Sequence, residues 1–467
     1  MTVAEATPEI DPETIDKAAH DRAFLGHPKG LGYLAFVEGC ERFSYYSMQT
    51  LLVLYMVKYL LLPENMVNVI GLNWLSSEYY GLQGQPLASA IFGDYTALVY
   101  LTPILGGIIA DRWLGRRTTL ILGGLVMALG HFLMAFEGAF LFALMSLVVG
   151  VGLFKGNIAS QVGELYSPTD LRRAMAFQIF YIAINVSVIA APLVSGTLGE
   201  KVGWHWGFGT AGVVMVIGLL IYLKAAPWLP EDNRPKAGQA KQPRERMQGN
   251  DWLRVASLMV LTPVLAVSLL TNQEIFNAYL VWADEHFQLT FMGQTLPTSW
   301  MITIDAAMSF SMLVAVAAFW NWRAKKTGSE PDELGKMIIG SFFTIAGGLC
   351  LVIAAATQGE AKIGLFWPVM FHLLNSIGFS HILPVSLALF TKVAPKAINA
   401  TVLGIYYLAF FAANKIVGTV GGWYSTMDTV QFWLLHVATA AIGLVAFVAF
   451  KLFLAPRMLA SAEPQPV

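Results

Sequence analysis

Twelve apolar segments, each long enough to cross a bilayer, recur at about 33–61, 86–111, 117–136, 139–165, 173–199, 205–226, 253–281, 298–322, 335–356, 363–391, 398–423 and 430–454. A backbone surrounded by hydrocarbon must satisfy its own hydrogen bonds, so each segment is expected to be a helix. The stretch 227–251, rich in Lys, Arg, Gln and Pro, separates six from six and reads as a flexible linker. The expected organisation is a polar N-terminal segment 1–30, a six-helix half 31–226, the linker 227–251, a second six-helix half 252–455 and a tail 456–467.

Composition agrees with a lipid bilayer as the first partner. The chain is 56% hydrophobic and 13% charged, with a mean hydropathy of +0.60. A formal net charge of −1 gives no ground for nucleic-acid binding. Cys40 and Cys350 both fall in apolar segments, so no disulfide framework or metal site is expected. No cleavable signal is expected either, because the first thirty residues are polar and acidic.

Orientation follows from the positive charges. Arg112, Arg116, Arg117, Arg172, Arg173, the linker cluster, Arg323, Lys325, Lys326, Lys392 and Lys451 fall on one side, whereas Lys201 and Lys362 are alone in the opposite loops, with Lys58 at a helix end. Both termini and the linker are therefore expected in the cytoplasm, in a plasma (inner) membrane.

The first apolar segment carries Glu38, Glu41 and Arg42. On a helix, Glu38, Glu41, Arg42, Tyr45 and Gln49 share one face. Three uncompensated charges at the bilayer centre would cost roughly 9 kcal/mol, so they must face partners or water. A buried Glu41–Arg42 ion pair accounts for one acid and leaves Glu38 in surplus. A surplus carboxylate beside an arginine is a candidate proton relay.

The same stripe reads ExxERFxYY over Glu38–Tyr46, and this resembles the first-helix signature of the proton-coupled oligopeptide transporter family, a branch of the major facilitator superfamily. Upstream, Phe24-Leu-Gly-His-Pro-Lys-Gly-Leu31 resembles that family's lead-in. Gly106-Gly-Ile-Ile-Ala-Asp111-Arg112-Trp-Leu-Gly115-Arg116-Arg117 resembles the superfamily's loop motif, and Phe154-Lys155-Gly156-Asn157 resembles FKPN with Gly in place of Pro. The resemblance implies an all-α membrane fold of about twelve helices in two halves, with a mid-membrane site between them. The family's two extra helices between the halves are not expected, because the linker holds no apolar span.

By the same resemblance Lys155 faces the Glu38/Glu41/Arg42 stripe, and these four residues are the proton-coupling candidates. Tyr45, Tyr46, Tyr100 and Asn185 are expected to line the cavity, with Tyr406 as an aromatic of the second half. Asp94 is a further acid inside a span. Gln49 and Gln273 stand where the family often has an arginine and a glutamate that close the outer side, so a Gln49/Gln273 hydrogen bond is expected as a gate. Phe379 replaces the glutamate that would receive a peptide's amino group. Asp305 is the expected substitute, with Glu274 and Gln273 as further substrate-binding candidates, although Asp305 could instead pair with Lys415. Lys415 itself is expected to snorkel.

The function implied is import of di- and tripeptides as a monomer by alternating access, driven by a proton gradient without any cofactor. Another small anionic or zwitterionic solute, or drug/proton exchange, is the alternative on the same fold. An enzyme finds no support, since HExxH, GxSxG and a clustered ligand set do not occur.

Overall fold

The computed structural model describes residues 21–167, 170–232, 247, 249–395 and 398–460. Most of the expected linker, the first twenty residues and the end of the tail lie outside the described residues. The long helices are α1 (Lys29–Tyr55), α2 (Gly84–Ile109), α3 (Arg116–Leu133), α4 (Phe140–Glu164), α5 (Arg172–Ala191) and α6 (Trp204–Lys224), then α7 (Gly249–Ser268), α8 (Trp300–Thr327), α9 (Glu333–Thr357), α10 (Phe366–Val393), α11 (Asn399–Gly421) and α12 (Thr429–Phe453). Among the described residues ten helical stretches pass the length and hydropathy of a membrane span. The charges of α1 and the arginines that open α3 place those two below the same measure.

Helix ends follow local chemistry. Gly115, at φ +79° and ψ 160°, separates α2 from α3 in a conformation that side chains resist. Asp332 caps α9 by accepting from Gly335 N at 3.0 Å, and Asp428 caps α12 by accepting from Val430 N and Gln431 N. A short hairpin, β1 (Thr290–Phe291) paired with β2 (Gln294–Thr295), was not expected from the sequence and sits in the loop before α8. Its turn is made by Met292 and Gly293, both at positive φ, the signature of a two-residue hairpin turn.

Two compact units emerge from the packing, and they cut across the sequence halves. Unit 1 comprises Met1–Met48, Thr102–Ala191 and Phe208–Gln239; unit 2 comprises Gln49–Leu101, Pro192–Gly207 and Ala240–Val467. The far part of α1, the near part of α2 and the chain between α5 and α6 thus pack with the second six helices. Unit 2 has its core in Leu258, Leu261, Leu265, Met337, Phe390, Phe410 and Phe447, all buried.

Small residues set the closest crossings, because in lipid the helices associate by close packing rather than by the hydrophobic effect. In unit 1 a Cβ added at Gly106 of α2 would lie 1.9 Å from the carbonyl oxygen of Gly152 in α4. In unit 2 a Cβ added at Gly93 would lie 2.4 Å from Gly418 Cα in α11. Gly106→Ala is therefore expected to lower the thermal stability of the detergent-purified protein by about 1–3 kcal/mol. An unchanged melting temperature would contradict the crossing.

Candidate functional site

In unit 1, α1 turns Glu38, Glu41 and Arg42 to one face, and its other face is fixed by contact with neighbours: Gly39 lies against Ser187 of α5, and Cys40 against Gly218 of α6. Glu38, Glu41 and Arg42 are buried, with 4%, 0% and 5% exposure. Glu41 holds Arg42 with both oxygens, through the guanidinium Nε and through Nη2 at 2.6 Å. Glu38 has a single contact, Oε1 at 3.2 Å from Arg42 Nε, and its Oε2 is buried with no hydrogen-bond partner. The two acids are therefore unequal: Arg42 is committed to Glu41, and Glu38 is the less satisfied carboxylate.

Lys155, half-buried in α4, lies within electrostatic range of Arg42, Glu41 and Glu38. The ring of Tyr45 is shared by both cations, with Arg42 Cζ at 5.2 Å and Lys155 Nζ at 5.9 Å from its centroid. Tyr46 packs edge-on against Tyr45. Asn185 of α5 returns its amide to Tyr181 O in the same helix at 2.8 Å, and Asn157 does the same to Leu153 O.

The lead-in to α1 is anchored in unit 1. His27 Nδ1 lies 2.9 Å from the Tyr166 hydroxyl, and Arg172 donates to Gly26 O while pairing with Asp170. Burial, and then the Arg172 guanidinium, push the His27 pKa below the usual imidazole value. The loop motif is tied down by Arg116, which pairs with Glu164 and Asp111, and by Asp232, which accepts from Arg117 N.

In unit 2 several sequence expectations change. Gln49 and Gln273 do not bond to each other: Gln273 Nε2 donates to Asn272 Oδ1 at 3.2 Å, and Gln49 Oε1 is buried without a hydrogen-bond partner. The junctions of the far helix ends are ionic instead. Lys58 pairs with Asp284 at 2.8 Å, Lys415 pairs with Asp94, which also accepts from Tyr79, and Glu200 accepts from the backbone of Thr298 and Ser299 at 2.7 and 2.8 Å. Lys415 therefore does more than snorkel, and its partner is Asp94 rather than Asp305.

Glu274 is fully buried where the helix after α7 breaks. Its Oε1 caps Ala278 N at 3.1 Å and its Oε2 lies 3.4 Å from His436 Nε2, which makes it a capping group of the break rather than an open ligand. Asn277 completes the break, donating to Val417 O and accepting from Ser89. Tyr100 stacks on Phe410 with centroids 4.8 Å apart, and the Tyr406 hydroxyl engages Ser386 and Leu383 O inside the core.

Asp305 of α8 keeps 11% side-chain exposure and binds His372 of α10, itself fully buried, at 2.9 Å. His372, His436, His131 and Tyr279 were missed by the sequence reading. The signal was present, since an ionisable group inside an apolar span is a functional candidate by default. A cavity of about 450 Å³ in unit 2, lined by Lys58, Glu200, Trp204, Asp284, Thr298 and Lys362, touches none of the proton-coupling, substrate-binding or gating candidates named from the sequence.

The family model described as Major Facilitator Superfamily matches residues 34–418. A relative named peptide transporter YePEPT, from Yersinia enterocolitica subsp. palearctica, is 30% identical over 86% of this chain and 89% of its own. The chain belongs to the proton-coupled oligopeptide transporter family of the major facilitator superfamily. A second relative, the di-/tripeptide transporter of Lactococcus lactis subsp. cremoris, is 27% identical over 91% of this chain and 95% of its own. The solved structure of a peptide transporter of this family in complex with sulfate superposes with a TM-score of 0.82 at 26% identity, covering 97% of this chain and 99% of that one. The chain's major facilitator fold is that of the peptide transporter structure it superposes on.

Proposed function

We propose that this chain imports di- and tripeptides by alternating access, coupled to inward proton movement. The observation that carries the reading is the unequal sharing of one arginine by two acids: Glu41 holds Arg42 at two points, Glu38 at one, and Lys155 stands within range of all three. A peptide carboxylate that takes Arg42 or Lys155 leaves a side-chain carboxylate short of a cation, and such a carboxylate takes up a proton more readily. Substrate and proton thereby compete for the same positive charges, which is what couples them. The relatives named as peptide transporters support the choice of substrate.

Asp305 is the acid assigned to a substrate's ammonium group, because Glu274 is spent on its helix break while Asp305 keeps some exposure. Gln273 is a neutral candidate for the peptide's amides, as are Tyr45, Tyr46 and Asn185. The Lys and Arg asymmetry of the loops supports cytoplasmic termini in an inner membrane, and on this reading the ionic junctions at Lys58/Asp284 and Asp94/Lys415 hold the outer ends of the helices together as the gate. The chain works as a monomer on this reading.

Competition tests the substrate. Unlabelled di- and tripeptides are expected to suppress uptake of labelled dialanine into proteoliposomes, while a free amino acid or a simple organic anion at the same concentration does not. Suppression by the organic anion alone would turn the reading to another small solute on the same fold.

A further inference from the structure

Three side chains from three helical segments form a hydrogen-bonded line inside unit 2. The Tyr279 hydroxyl, on the helix Ala278–His286, lies 2.8 Å from His372 Nε2 on α10, and His372 Nδ1 lies 2.9 Å from Asp305 Oδ1 on α8. Tyr279 and His372 are fully buried, whereas Asp305 keeps some exposure, so the line runs from the core to a carboxylate at its edge. Among the described residues no Lys or Arg pairs with Asp305: Lys415, the candidate from the sequence, is taken by Asp94.

A hydroxyl on one side of the ring and a carboxylate on the other favour one direction for this line. One ring nitrogen donates and the other accepts, and a phenol gives up its proton to a hydrogen bond far more readily than it accepts one from an imidazole facing a carboxylate. With the Tyr279 O–H donating to Nε2, the ring proton resides on Nδ1 and is donated to Asp305. The reverse tautomer would point a bare lone pair at the carboxylate. A hydrogen bond from the ring holds the carboxylate in place, and a largely buried carboxylate without a Lys or Arg partner needs such a donor. We propose that His372 and Tyr279 are positioning residues that hold Asp305 oriented as the acceptor of a substrate's ammonium group. This inference rests on the reading of Asp305 given above.

Binding of dialanine and of N-acetyl-dialanine, which lacks the ammonium, to the detergent-purified full-length protein separates the two claims. Asp305→Asn is expected to weaken dialanine about tenfold or more and to leave N-acetyl-dialanine unchanged. Retained dialanine affinity in that variant overturns the reading of Asp305 itself. If Asp305→Asn behaves as expected, Tyr279→Phe, which removes one hydroxyl and keeps the ring, and His372→Leu are expected to show the same selective loss of dialanine. In transport the loss should appear in KM with the maximal rate little changed. His372→Asn, which restores a donor near Nδ1, should recover most of the affinity. Dialanine affinity unchanged in both Tyr279→Phe and His372→Leu, or an equal loss for both ligands, overturns the positioning role while leaving Asp305 as the acceptor.

Discussion

Replacing Glu41 with glutamine is expected to abolish proton-driven accumulation of peptide while sparing counterflow, the exchange of labelled for unlabelled peptide that needs no net proton movement. Each unit of pH difference offers about 1.4 kcal/mol per proton, hence about tenfold accumulation, and each 100 mV about 2.3 kcal/mol per charge. The glutamine variant should bring internal and external peptide to the same concentration whatever the imposed gradient. The reason is geometric: Glu41 occupies Arg42 at two points, and a neutral amide in that place leaves the guanidinium permanently open to the peptide carboxylate, with no charge to release. Glu38→Gln acts on the other acid, the one with an unpartnered oxygen, and is also expected to uncouple. Normal accumulation by both variants would remove the carboxylates from the coupling mechanism.

Lys155→Ala is expected to eliminate uptake at matched expression, with Lys155→Arg keeping a small fraction. A charge inside an apolar helix costs about 2.5–3.5 kcal/mol on the insertion scale, so it persists only where its surroundings use it. Here those surroundings are the two acids of α1 and the face of Tyr45. Without the lysine, Arg42 alone must serve Glu38, Glu41 and the substrate carboxylate, and Glu41 already commands it. Arginine preserves the charge but carries a wider, planar head that cannot occupy the same space above the Tyr45 ring. Uptake at the wild-type level by the alanine variant would show that the lysine only fills volume.

The helices of this transporter were legible because their signal is local: runs of apolar residues of spanning length, and on α1 a polar face at helical spacing. The α1 stripe and its neighbour Lys155 were legible for the same reason, helped by motifs whose residues all fall within unit 1. Pairings in unit 2 were not, because they join residues hundreds of positions apart. Lys415 finds Asp94, and Lys58 finds Asp284, through packing that no periodicity encodes. Gln49 and Gln273, expected as a bonded pair, take no part in each other's hydrogen bonds, since the break at Glu274–Asn277 turns the amide of Gln273 toward Asn272. Glu274 looked like a spare acid in the sequence and is a helix cap in the structure. His372 and Tyr279 were overlooked because a histidine or tyrosine among apolar neighbours looks like core filling until its partners are seen.

Proton-coupled peptide import is tested most directly by uptake of labelled dialanine into proteoliposomes of the purified chain under an imposed pH gradient, acidic outside. Accumulation above the external concentration, rising with the size of the gradient and lost on adding a protonophore, is the predicted result. Uptake that never exceeds equilibration, or that is indifferent to the protonophore, would contradict it.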